Sequence, residues 1–278
     1  MKQNNRATDL LQWYLQSGVD EALEDQPVNR LGKFGPNQVD QPKMQPIHQN
    51  LVTNDPQNNN PPDSLENKAL PELLSKEEVT RKANISANEA SSLRELKIAL
   101  EAFEGCPLKK TAKNLVFGDG PINADLMFIG EAPGAEEDRH GVPFIGPAGK
   151  LLDRMLAAIE VPREDTYITN ILPWRPPGNR SPTDSEISAC IPFIERHIEL
   201  INPKILIMVG GTAAKTLLET SQGIIRSRGK WYNYNVEALR KTIPARAILH
   251  PAYLLRSPAH KKETWFDLLE ISQKLLEI

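Results

Sequence analysis

Apolar and polar positions follow two rhythms along this chain. Short apolar runs occupy 125–130, 166–171, 204–210 and 244–249. Runs this short and this continuous predict strands buried on both faces. Between them apolar residues recur at helical spacing, which predicts helices over 86–103, 147–159, 184–201, 211–220 and 259–276. In the first of these, Leu93, Leu96, Ile98, Leu100 and Phe103 form the apolar side, with Ser86 or Asn88 as cap. Thr183-Asp184-Ser185-Glu186 has the form of a capping box for the helix at 184. Strands alternating with helices predict a parallel sheet covered on both faces. The expected class is α/β, a three-layer α/β/α arrangement around a central four-stranded parallel sheet.

The first part of the chain breaks this rhythm. Leu10, Leu11, Trp13, Tyr14, Leu15, Val19 and Leu23 give 8–24 an amphipathic helical pattern within an N-terminal segment of 1–25. Residues 26–85 are rich in Asn, Gln and Pro, most clearly at Gln57-Asn58-Asn59-Asn60-Pro61-Pro62. Such composition buries too little apolar surface to offset chain entropy and predicts a disordered linker. The folded domain is then expected at 86–278. Two uses suit the isolated helix: transient docking on its own domain, or capture of a protein partner on a tether.

Right-handed crossovers bring the carboxyl ends of all the strands to one edge. Open α/β folds bind their ligands there. The first strand empties into Gly130-Glu131-Ala132-Pro133-Gly134, continuing to Gly141-Val142-Pro143-Phe144. The second ends in Thr169-Asn170 and runs on to Arg175-Pro176-Pro177-Gly178-Asn179-Arg180. The third ends in Gly210-Gly211-Thr212, and the fourth in His250-Pro251-Ala252-Tyr253-Leu254-Leu255-Arg256. Glu131, Phe144, Asn170 and His250 therefore converge on one crevice, which predicts an active site.

Composition narrows the setting. The 278 residues carry a net charge of -3, and the acidic excess lies in the first hundred. That excludes a histone-like polycation but not nucleic-acid binding, where the distribution of charge decides. Arg175, Arg180, Arg226, Arg228, Lys230 and Arg256 fall in loop-like segments where a basic face can assemble. No apolar run is long enough to span a membrane, and the N-terminus lacks the apolar core of a signal peptide. Cys106 and Cys190 make no disulfide framework. The expected compartment is the cytoplasm. The chain carries neither Gly-x-x-x-x-Gly-Lys-Ser/Thr nor a strand-linked Gly-x-Gly-x-x-Gly, which argues against a bare nucleotide-binding module.

Three motifs in order resemble family 4 uracil-DNA glycosylases over about residues 100–278. They are Gly130-Glu131-Ala132-Pro133-Gly134 with Glu137-Asp138 and Pro143-Phe144; Thr169-Asn170 with Arg175–Arg180; and His250–Arg256. The resemblance implies hydrolysis of the N-glycosidic bond of deoxyuridine in single- or double-stranded DNA, by a monomer, in base-excision repair. It implies that Phe144 stacks on a flipped-out uracil, that Asn170 reads its Watson–Crick edge, and that Gly130 and Ala132 complete the pocket. His250 matches the histidine facing uracil O2. Glu131 matches the acid that holds or activates water, and Glu137 the second motif acid; a carboxylate here equally suits electrostatic stabilisation of an oxocarbenium-like sugar. Glu136 and Asp138 are expected to be solvated or to cap the loop, and His140 to be exposed. The resemblance assigns DNA contacts to Arg175, Gly178, Asn179, Arg180, Tyr253, Leu254, Leu255 and Arg256. The leucines would act as minor-groove wedges, and the amides of Gly146–Gly149 are candidate phosphate ligands.

The chain departs from that family at the iron–sulfur site. Typical members hold a cluster on four cysteines, the first two spaced Cys-x-x-Cys. Here Phe103 and Trp174 stand at two of the four positions, and only Cys106 and Cys190 remain. The expectation is no cluster and no other cofactor, with hydrophobic packing joining these segments and both cysteines buried. The arginine loop at 175–180 holds no histidine, so turnover without a lasting protein–DNA adduct is expected. Two other functions fit the same residues less well: a glycosylase for other deaminated bases, and a damaged-DNA-binding adaptor with weak or no catalysis.

Overall fold

The structure, a computed structural model, describes residues 75–278. The amphipathic pattern at 8–24 and most of the 26–85 segment lie outside the described residues. Helix α1 spans Lys76–Glu89, so helix begins ten residues earlier than the sequence pattern predicts. Ser75 caps it, its Oγ accepting from the Glu78 amide at 3.2 Å. The low mean hydropathy of α1 hides it in the sequence. Its inward face is made of small residues, Ala83 and Ala87, both fully buried. Helix α2 spans Leu93–Ala102. The single helix expected over 86–103 is thus two. Glu95 explains the break: its Oε2 accepts from the Ser91 amide at 2.7 Å while Ser92 Oγ accepts from the Glu95 amide at 3.3 Å. This reciprocal cap competes with continued helix at Ser91-Ser92.

Five strands form one sheet: β1 Leu126–Gly130, β2 Thr166–Asn170, β3 Ile205–Val209, β4 Trp231–Val236 and β5 Lys241–Ile248. Their order is β2-β1-β3-β5-β4. The four expected strands are the parallel ones. β4 is an addition, an edge strand antiparallel to β5. Its sequence, Trp231-Tyr232-Asn233-Tyr234-Asn235-Val236, is half exposed and too polar to read as a buried run. Pro244 is tolerated in β5 because β3 pairs only from Ala245 onward, leaving β4 as the sole neighbour at that position.

The remaining helices are α3 Ala135–His140, α4 Pro147–Ala157, α5 Asp184–Ile201, α6 Gly211–Leu217, α7 Ile224–Ser227, α8 Pro251–Arg256 and α9 Lys261–Glu277. The capping box at α5 forms as expected, with Thr183 and Glu186 satisfying each other's backbone amides. Strand side chains alternate between two cores. Met127, Ile129, Leu206 and Met208 face one that includes Phe193 and Ile198 of α5; Leu126, Phe128, Ile205, Ile207 and Val209 face the other, with Leu152, Leu156, Leu268 and Ile271. A sheet filled on both faces is why the central strands are apolar throughout.

One buried ion network ties the second layer down. Asp267 of α9 is fully buried. It accepts from Arg228 Nε at 2.7 Å, and from Arg246 Nε at 3.1 Å and Nη2 at 2.9 Å. Arg246 also lies over the Trp231 ring, 5.2 Å from its centroid. Arg228 is therefore committed to the interior and does not contribute to a basic face. Removing the carboxylate would leave two guanidinium groups buried against α9 without their partner. Asp267→Ala is expected to cost about 3–5 kcal/mol of stability, measured by equilibrium urea unfolding. A loss below about 1 kcal/mol would show that the network is solvated.

Candidate active site

A cavity of about 420 Å³ opens at the carboxyl edge of the sheet. Glu131, Phe144, Asn170 and His250 all line it, as the crossover rule requires. Larger grooves run along α1, α2 and α5, but they are lined mainly by helix-surface side chains and lie away from the carboxyl edge of the sheet. The chemistry is at the sheet edge.

The floor of the cavity depends on Gly130. In the β1–β2 register it pairs with Asn170. A Cβ at Gly130 would sit 2.4 Å from Asn170 Oδ1 and 2.6 Å from Phe144 Cζ. Only a bare Cα lets the Asn170 amide and the edge of the Phe144 ring meet there. Phe144 is 5% exposed and has a left-handed backbone, φ 52°. Its carbonyl lies against α4 at Gly149, where a Cβ would come within 1.7 Å of the oxygen. The Phe144 and His250 rings lie 5.6 Å apart, with 28° between their planes.

His250 caps α8. Its Nδ1 accepts from the Ala252 amide at 3.1 Å. Burial pushes its pKa down to about 4; the charge of Arg256 acts in the same direction and Glu137 opposes it. The ring is therefore neutral at physiological pH. With Nδ1 serving as acceptor, the proton is on Nε2, and His250 offers a neutral N–H donor.

The carboxylates divide their work. Glu131 Oε2 accepts a hydrogen bond from Thr212 Oγ1 at the start of α6, which fixes the carboxylate. Glu137 Oε1 accepts from the amides of Ile145 at 3.0 Å and Gly146 at 2.9 Å. Glu137 thus braces the loop, and the Gly146 amide expected to hold phosphate is already engaged. Asp138 is buried and caps the loop at Lys113 and Asn114, while Glu136 pairs with Arg139. His140 is exposed.

At the rim, one expected DNA contact is corrected. Leu254 is 1% exposed and belongs to the core, whereas Leu255 is 41% exposed, so Leu255 alone has the exposure a wedge needs. A six-residue helix puts adjacent leucines on different faces. Arg180 donates with both Nη atoms to Glu186, at 2.9 and 2.6 Å. That bond, more than any other contact, holds the Glu186 carboxyl down at about 2. Arg180 is anchored by this pair, yet it stays part-exposed and lines the cavity. Arg175 Nε donates to Asn179 Oδ1 at 2.7 Å across a tight turn with Gly178 at φ 63°. Asn179, Tyr253 and Arg256 line the cavity mouth.

Two residues at the site carry no mark in the sequence: Thr212, and Arg163, which donates to the carbonyls of Pro143 and Phe144. Thr212 belongs to the Gly210-Gly211-Thr212 stretch after β3; Arg163 lies between elements with nothing to mark it.

On the other side of the sheet, Phe103, Cys106, Trp174 and Cys190 are buried in one core. The Phe103 and Phe193 ring centroids are 5.0 Å apart. Two thiols and two aromatic rings do not make the four-thiolate donor set that an iron–sulfur cluster requires.

Comparison with known proteins agrees with this geometry. The family model for the uracil DNA glycosylase superfamily matches residues 117–269. A type-4 uracil-DNA glycosylase of Archaeoglobus fulgidus is 42% identical over 170 residues, 60% of this chain and 85% of that protein. One from Saccharolobus solfataricus is 41% identical over 175 residues, 61% and 80% of the two chains. One from Pyrobaculum aerophilum is 37% identical over 180 residues, 63% and 91%. The chain therefore belongs to the uracil DNA glycosylase superfamily, and within it to the type-4 uracil-DNA glycosylases.

Proposed function

We propose that this chain hydrolyses the N-glycosidic bond of deoxyuridine in DNA, releasing uracil and leaving an abasic site for base-excision repair. The observation that carries this reading is the meeting of Phe144, Asn170 and the neutral Nε2–H of His250 in one cavity. A uracil rotated out of the stack finds an aromatic ring for its face and an amide for its edge. Asn170 accepts from uracil N3–H and donates to O4. Cytosine places an amino donor where uracil has O4, so a fixed amide rejects it by about 10⁴-fold.

As the C1′–N1 bond breaks, the base leaves with the electron pair and negative charge gathers on O2. His250 Nε2–H meets that charge, a contribution of roughly 3–4 kcal/mol by analogy with oxyanion holes. A neutral donor suits this step because burying an imidazolium beside Arg256 would be costly. Glu131, held by Thr212 through one oxygen, keeps the other for the attacking water and for the positive charge that develops on the sugar. Water supplies the oxygen that bonds C1′.

No step needs a cofactor. The reading is of an enzyme without an iron–sulfur cluster, since Phe103 and Trp174 offer no metal ligand and pack as core instead. It is also of a cytoplasmic monomer; among the described residues no helix is long and apolar enough to cross a membrane.

Three measurements test this reading. Wild-type protein is expected to release uracil from a labelled oligonucleotide, single-stranded or paired with G or A. His250→Ala and Asn170→Ala are each expected to lower kcat/KM by about 10²–10³-fold. Binding without release would favour the adaptor, and faster release of hypoxanthine would favour a different base specificity.

The pH profile follows from His250. A base whose folded pKa is lowered stays neutral until the pH nears that value. Activity should therefore hold from pH 8 down to about 5 and fall with a midpoint near 4. Folding stability should begin to fall earlier, as pH drops below about 6.5, because the unfolded chain takes up the proton first. An activity limb centred near 6.5 would contradict a buried, neutral ring.

Protein purified without oxygen should contain no stoichiometric iron and show no visible absorbance. A charge-transfer band with matching iron and sulfide would restore the cluster.

A further inference from the structure

We propose that Arg163 is a positioning residue for base recognition, holding Phe144 in its strained backbone from the far side of the pocket. This rests on the reading of Phe144 as the uracil platform. Arg163 lies in a 3-10 turn just before β2 and touches none of the cavity-lining side chains in the mechanism. Its guanidinium reaches back to the loop after β1. Nη1 donates to the Phe144 carbonyl at 3.0 Å, and Nη2 to the Pro143 carbonyl at 2.7 Å. Each Nη also donates to a carboxylate, Nη1 to Asp153 Oδ1 at 2.9 Å and Nη2 to Asp119 Oδ2 at 3.2 Å.

The loop is gripped from both ends of its peptide dipoles. The cation holds the carbonyls of residues 143 and 144. The Glu137 carboxylate holds the amides of 145 and 146. Between the two, Phe144 keeps φ 52°, a conformation a phenylalanine rarely adopts. Such strain persists only where the surroundings over-determine it. Here they do: carbonyls to Arg163, amides to Glu137, and the Phe144 oxygen seated against the bare Cα of Gly149.

Four acceptors on three segments suit a planar fork of donors and not the single ammonium of lysine. Released from Arg163, the Phe144 backbone can relax toward negative φ, which rotates the ring away from Gly130 and Asn170. Glu131 keeps its bond to Thr212, and His250, although its ring stacks on Phe144, keeps its own cap on the Ala252 amide. The loss should therefore fall on binding of the base more than on the chemical step.

The test compares Arg163→Gln and Arg163→Lys with wild type, alone and in a Phe144→Ala background. Arg163→Gln is expected to raise KM and the inhibition constant of free uracil by about 5- to 100-fold, the range that base–aromatic stacking commands. The single-turnover rate at saturation should change less than that. Arg163→Lys should fall between, since charge returns without the fork. In the Phe144→Ala background Arg163→Gln should add little, because it acts through that ring. Amide hydrogen exchange at Ile145 and Gly146 should quicken in Arg163→Gln with the sheet unchanged, a readout independent of turnover.

Unchanged KM and uracil inhibition in folded Arg163→Gln, or full additivity with Phe144→Ala, would reduce Arg163 to a structural residue and overturn the proposal. So would unaltered exchange at Ile145 and Gly146. A wild type that releases no uracil while exchange still quickens would instead fault the glycosylase reading and leave the clamp standing.

Discussion

At the end of β1 the backbone must come close to two side chains at once. Gly130 stands beside Asn170 in the parallel register and beneath the Phe144 ring, at separations that leave no room for a methyl group. The pocket is built outward from that gap. The strand register sets where Asn170 projects, and burial holds its backbone fixed. The loop then has to return Phe144 to the same spot within fourteen residues, which it does through a left-handed residue and a tight seat on Gly149. A base-recognition site needs this rigidity. In the proposed reading, an amide that could rotate would accept cytosine about as readily as uracil.

The polar groups around the gap differ in what burial does to them. Burial depresses His250 and keeps it neutral, and the Ala252 amide then selects which nitrogen carries the proton. Glu137 sits in the same cavity wall, but two amides satisfy one of its oxygens and turn it into a brace. Glu131 is tied down by a hydroxyl through one oxygen alone. So the two motif acids, alike in sequence, are separated by their hydrogen-bond partners. One braces the loop, and in the proposed mechanism the other keeps an oxygen for the water and the sugar.

Much of this was legible beforehand, because buried parallel strands and capped helices announce themselves. The four apolar runs, the α5 capping box and the convergence of Glu131, Phe144, Asn170 and His250 follow from period and topology alone. What escaped notice had specific causes. β4 is an edge strand with asparagines on its open face, and edge strands need not be apolar. α1 buries only alanines, which carry little signal in a polar segment. Leu254 and Leu255 look alike in sequence, and the helix direction alone tells core from rim. The pairing of Arg180 with Glu186, and of Arg163 with the Phe144 loop, depends on side chains crossing space between elements. No local pattern encodes that.

In the reading without a cluster, the segment around Cys106 meets one structural task by different physics. In a cluster-bearing relative, four thiolates would tie the approach to the first strand to the loop after the second through metal. Here Phe103, Trp174 and Phe193 meet in the same core as the two remaining thiols. Trp174 also leads directly into the Arg175–Arg180 turn at the cavity mouth. A buried tryptophan removes a large apolar area from water, and that burial can hold the turn in register without any ligand bond. Contact packing is less directional than metal coordination, so the turn gains its precision elsewhere. The Arg180–Glu186 fork on the capped end of α5 supplies it, fixing the far end of the same loop to the helix that carries Cys190 and Phe193.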